Sequence, residues 1–153
     1  MILRLVLGVV LTATLLSVAT PLLATASADA ADSDVDRQLS GLGERLQTLV
    51  ETNDPTVGEG ARHVTELTLP GRSLTSAGVD RLRFYGRDGV GLATWRVGDR
   101  ATRRTRLVGV PIRAVGGSLT LRQPGSHRLV FELRSRSDGP VLTVRRLGGR
   151  TDA

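Results

Sequence analysis

From Leu5 to Ala28 the chain runs for 24 residues without a charged side chain, and this stretch limits its possible folds more than any other. Leu5–Ala19 is almost continuous Leu, Val, Ala and Gly, with only Thr12, Thr14 and Ser17 between them. A bilayer core takes a helix of roughly 20 apolar residues. Arg4 precedes the run and an acidic cluster beginning at Asp29 follows it. The positive-inside rule then leaves Arg4 in the cytoplasm and puts the remainder outside the cell. Two fates stay open. Pro21 is expected to break the helix, and Ala26-Ser27-Ala28 has the small-x-small form of a signal-peptide cleavage site, which would release Asp29–Ala153 as a secreted protein. Alternatively the run stays as a transmembrane helix, because it is longer than a usual signal core. Either fate makes the protein extracytoplasmic. The competing structural reading is a buried core helix.

Charge divides the chain. Residues 1–28 carry +1, residues 29–66 carry −6 and residues 67–153 carry +11, within a net charge of +6. Such asymmetry fits a polyanionic partner, an acidic membrane surface, or two halves that face each other. Its bland explanation is compositional, since all 21 basic residues are arginine.

After the apolar run, Val35, Leu39, Leu42, Leu46 and Leu49 recur at spacings of four and three. This predicts an amphipathic helix over Ser33–Thr52, capped by Asp32, Ser33 or Asp34 and ended by Asn53-Asp54-Pro55. Gly41 and Gly43 each weaken it by about 1 kcal/mol, so it must lie on something. A linker follows over 53–62, and then the period changes to two. Leu82 and Phe84 alternate with Arg81, Arg83 and Tyr85; Arg87-Asp88-Gly89 turns the chain; Val90–Val97 returns. Thr102–Val110 and Ser118–Arg122 are further strands, with Pro111 excluding a central ladder position. Leu129, Phe131 and Leu133 alternate with polar residues before a turn at Ser137–Pro140 and a final strand over Val141–Leu147. Six to seven strands joined by short turns indicate an antiparallel sheet or small sandwich, with the Val35–Leu49 seam as its lid. The fold class is therefore α+β: an N-terminal apolar helix and an amphipathic helix, then strands. The units are 1–28 (leader or anchor), 29–60 (acidic helix and linker) and 61–150 (β-rich domain). The tail from Gly148 reads as frayed.

The residues available exclude much chemistry. Without cysteine there is no disulfide, thiolate nucleophile or cysteine-ligated metal, and without lysine no Schiff base or P-loop. His63 and His127 have no second histidine at ligand spacing. Gly125-Ser126-His127 lacks the G-x-S-x-G elbow and reads as a turn entering a strand, although a small hydrolase built on either histidine stays as a third hypothesis. Gly86–Gly91 joins two strands, so it is a hairpin and not a dinucleotide loop. Trp95 reads as core. No cofactor, metal or small-molecule substrate is expected.

The unusual feature is Arg100-Ala101-Thr102-Arg103-Arg104-Thr105-Arg106, with Arg96 and Arg113 close by. Guanidinium groups bind phosphate, sulfate and carboxylate through paired hydrogen bonds. Arg96, Arg100, Arg103, Arg104, Arg106 and Arg113 are therefore candidate anion- or partner-binding residues. The partner could be lipid headgroups, an acidic glycan or an acidic protein. Export and the lack of interleaved aromatics argue against nucleic acid. The competing structural readings are charge protection of a sheet edge and a solvated face.

The order of apolar helix, acidic helix and twisted sheet resembles the pilin-like plan. Arg72-Ser73-Leu74-Thr75-Ser76-Ala77-Gly78-Val79 and Gly109-Val110-Pro111-Ile112-Arg113 are similar to a group of small haloarchaeal exported or membrane-anchored proteins encoded near type IV pilus and secretion genes. This resemblance covers nearly the whole chain. It implies an archaeal accessory protein with a partner in a pilus or secretion assembly, and it brings no activity or catalytic residues. The leading expectation is a non-enzymatic extracytoplasmic accessory or interaction protein. The alternative is an arginine-rich module that binds polyanions or anionic membranes.

Overall fold

The computed structural model describes residues 2–73 and 76–148, apart from the side chains of 2–5 and 13–24. One helix, α1 (Ile2–Thr52), is followed by eight strands: β1 (Arg62–Leu69), β2 (Val79–Arg87), β3 (Val90–Val97), β4 (Arg103–Val108), β5 (Ile112–Arg113), β6 (Ser118–Leu121), β7 (Gly125–Arg136) and β8 (Gly139–Arg146). The class is α+β. The strands form two four-stranded sheets, ordered β1-β7-β8-β5 and β4-β3-β2-β6. All pairs are antiparallel except β5 with β8. The expected tail lies outside the described residues from position 149 onward.

The helix differs from expectation at one place. It does not begin at Ser33: backbone helix is continuous from Ile2, and Pro21 does not end it. Ala24, Ala26, Ala28, Ala30 and Ala31 bridge the junction, and alanine is the strongest helix former. Asp32 is consequently inside the helix rather than capping it. The expected membrane segment falls largely on side chains outside the description. Among the described residues no helix is long and apolar enough to cross a membrane.

The inner faces of the two sheets meet. Phe84 on β2 packs edge-on against Phe131 on β7, with ring centroids 5.8 Å apart. Leu82, Ala93, Trp95, Leu129, Leu133 and Leu142 complete this layer. α1 packs against the edge strands β4 and β1, burying Val35, Leu39, Leu42 and Leu46 with Leu49 partly buried. The predicted seam is therefore the lid, and it extends back to Ala28 and Ala31. At Gly43 the helix comes so close to β4 that a Cβ would lie 3.1 Å from the Leu107 carbonyl.

The helix also satisfies the two edges it covers. The Gln38 carboxamide donates to the Thr68 carbonyl (3.0 Å) and accepts from the Thr68 N–H (2.9 Å), occupying backbone groups that edge strand β1 would otherwise leave open. The Gln47 side-chain oxygen accepts from the Gly109 N–H just beyond β4 at 3.3 Å. The two tight hairpins form where the sequence placed them. Asp88 and Gly89 take φ of 52° and 76° between β2 and β3, the left-handed pair that matches strand twist in a two-residue loop.

Candidate functional site

Each strand sends alternate side chains outward, and the outward positions are dominated by arginine. On the β4-β3-β2-β6 sheet, Arg83 and Arg104 both register against Thr94, while Tyr85 and Arg106 both register against Leu92. Arg81 registers against Arg96. Five guanidiniums, of Arg81, Arg83, Arg96, Arg104 and Arg106, thus share one face. Residues two strands apart sit about 10 Å from each other, a flat array and not a pocket. Asp80 reaches Arg96 at 3.5 Å, and the Arg83 guanidinium lies 5.2 Å above the Tyr85 ring. Among the described residues Arg104 and Arg106 form no ion pair.

The six arginines singled out in the sequence therefore separate into three groups. Arg96, Arg104 and Arg106 join this face. Arg100 and Arg103 turn toward α1. Arg100 pairs with Asp29 at 2.5 Å and donates to the Thr25 carbonyl at 3.2 Å. Arg103 pairs with Asp32 and lies 5.6 Å above the Trp95 ring, and that carboxylate holds the Arg103 guanidinium above its ordinary pKa, chiefly by hydrogen bonding. Arg113 is on the other sheet and pairs with Asp138 at 3.0 Å. Arg81 and Arg83 belong to the array although the arginine-dense segment does not contain them. Their alternation with buried Leu82 and Phe84 is the signal that places them outward.

A second charged centre sits on the outer face of the β1-β7-β8-β5 sheet. Glu132 is almost fully buried, which alone would raise its pKa. The Gly60 N–H (3.1 Å), Arg134 (3.2 Å) and Arg62 (3.6 Å) outweigh that burial and hold the carboxyl below its ordinary value.

The histidines do not meet. His127 is buried and faces the core, with its ring Nε2 2.7 Å from the Gln123 carbonyl. Neighbouring Ser126 points outward and donates to Glu66. A serine and a histidine on opposite faces of one strand cannot exchange a proton. His63 lies beside Arg45 of α1, and burial followed by that guanidinium lowers its pKa. Among the described residues no three acidic or histidine side chains cluster as metal ligands.

A family model described as a domain of unknown function, DUF7311, matches residues 2–147. No curated protein and no solved structure matches the chain.

Proposed function

The chain belongs to the DUF7311 family, a domain of unknown function, and on that premise we propose that it is a non-enzymatic extracytoplasmic interaction protein, held at a membrane through its N-terminal helix. The observation that carries this reading is the two-part character of α1. From Ala28 to Leu46 one face is buried in the sandwich, whereas Val6, Leu7, Val9, Val10 and Leu11 are 51 to 69% exposed. A contiguous apolar surface of that kind is ordinarily covered, by lipid or by other helices. Retention of the leader is better supported than its cleavage. The helix runs unbroken through Ala26-Ser27-Ala28, and Ala28 is itself a core residue. A helix with an apolar leading half and a sheet-bound trailing half also suits an accessory component of a pilus or secretion assembly.

Recovery of the protein from membrane and medium fractions, with its mass and N-terminal residue, tests the reading. An intact N-terminus in the membrane fraction is expected. A start at Asp29 in the medium would replace the anchor with a leader, and full-length protein dissolved in the cytosol would overturn the proposal.

A second reading is supported by the flat array of Arg81, Arg83, Arg96, Arg104 and Arg106. Among the described residues it has a single paired acid, Asp80, and it suits an extended polyanion or an anionic surface.

A further inference from the structure

We propose that the outer face of the β1-β7-β8-β5 sheet holds a separate site for a phosphate or sulfate group, framed by Arg113, Arg134, Arg136 and Arg145. These four arginines line one cleft of about 290 Å³, together with Glu132 and Thr143 and with the apolar Ala114, Val115 and Val130. The strand register explains why they converge. Arg113 of β5 registers against Thr143 of β8, and Thr143 registers against Glu132 of β7. Arg145 and Arg134 stand one outward position to either side of that row, and Arg136 follows Arg134 along β7.

The charge balance leaves the cleft short of an anion. Of the two acids beside it, Asp138 takes Arg113 and Glu132 takes Arg134. Glu132 lines the cleft but is further occupied by the Gly60 N–H and by Arg62, so its charge is already offset. Arg136 and Arg145 have no ion pair among the described residues. A tetrahedral oxyanion supplies what is missing: several acceptor oxygens for forked guanidinium donors and a charge of about −2. This site is distinct from the flat array on the opposite sheet. It is a cleft rather than a flat face, and its arginines come from three strands.

Calorimetric titration of the full chain with inorganic phosphate and with sulfate tests the proposal, alongside flotation with vesicles that contain or lack an anionic phospholipid. Arg136→Gln with Arg145→Gln is the site variant, and Arg72→Gln with Arg122→Gln, outside both this cleft and the flat array, is the control. Among the described residues none of these four side chains forms an ion pair, so folding is expected to survive, and far-UV circular dichroism checks this. Loss of phosphate affinity by about tenfold or more in the site variant alone is the expected result. Free phosphate binding identifies a soluble ligand. Vesicle binding that needs the same two arginines, without free phosphate binding, identifies a lipid headgroup. Absence of both in the wild-type chain, or an equal loss in site variant and control, overturns the proposal.

Discussion

Trp95 on β3 donates its indole N–H to the carboxylate of Asp32 on α1 at 2.6 Å, and both residues are buried. The same carboxylate takes Arg103, so one acid ties the helix to two adjacent strands. Asp32→Ala removes the acceptor and leaves a buried indole N–H without one. The expected loss is about 2 kcal/mol, mostly from that orphaned donor, because the Arg103 side chain is 55% exposed and its pairing is screened. Asp32→Asn keeps an acceptor and should lose less. Urea unfolding followed by emission of the only tryptophan reads both variants directly, and an unchanged midpoint for Asp32→Ala would show that the contact contributes nothing.

Gly60 is required by space. A Cβ there would lie 1.8 Å from the Leu133 carbonyl oxygen, whereas one at Gly58 would meet nothing within 4 Å. The linker backbone would have to move off β7, breaking the Leu133 N–H bond to the Ala61 carbonyl and the Gly60 N–H bond to Glu132. Gly60→Ala is expected to destabilise by roughly 2–3 kcal/mol and Gly58→Ala by less than about 0.5 kcal/mol. Equal thermal midpoints for the two variants would contradict the close approach.

Period and turn chemistry made most of the β domain legible. The Leu82/Phe84 and Leu129/Phe131/Leu133 alternations, the turns at Asp88-Gly89 and Ser137-Asp138, and the helical seam at Val35–Leu49 each depend on local pattern. The choice between one sheet and a sandwich was not legible, because it rests on pairings such as Arg62 with Glu132, some 70 residues apart. Nor was the helix junction. Asp32, Ser33 and Asp34 look like a cap, and only the buried contact to Trp95 shows the acid serving another purpose. The arginine-dense segment pointed at one site, but alternation sent Arg103 inward and Arg104 outward. A count of charges along the sequence cannot separate those two directions; strand phase can.

Glu132 makes stability depend on acid. Its folded pKa lies below the ordinary 4.5, because the Gly60 N–H, Arg134 and Arg62 outweigh the opposing effect of burial. The unfolded chain therefore takes up this proton first. The stabilisation is complete above about pH 4.5 and is lost as pH falls through the folded value. Glu132→Gln should be less stable at neutral pH and show a flatter acid limb. Parallel acid limbs for the two proteins would remove Glu132 as the cause.

His63 acts in a higher window. Burial, then Arg45, depresses its pKa below 6.5, so the unfolded chain binds this proton at a higher pH than the folded one. Stability should be unaffected above neutrality, begin to fall as pH drops through 6.5, and level off below the folded pKa. His63→Gln should abolish that step while leaving the Glu132 limb in place. Denaturant midpoints measured at half-unit pH intervals separate the two.

The arginine array predicts a division of labour among the basic residues. Arg83→Gln with Arg104→Gln and Arg106→Gln removes three guanidiniums from the flat face and, among the described residues, breaks no ion pair with an acid. This variant should keep the wild-type unfolding midpoint but elute from a heparin column at markedly lower salt, since exposed charge–charge attraction is screened within about 10 Å at 0.1 M ionic strength. Arg100→Gln with Arg103→Gln should behave in the opposite sense. Those side chains hold Asp29, the Thr25 carbonyl and Asp32, so the unfolding midpoint should fall with less change in retention. If both variants shift retention alike and neither shifts stability, the partition between outward-facing and helix-facing arginines has no energetic meaning.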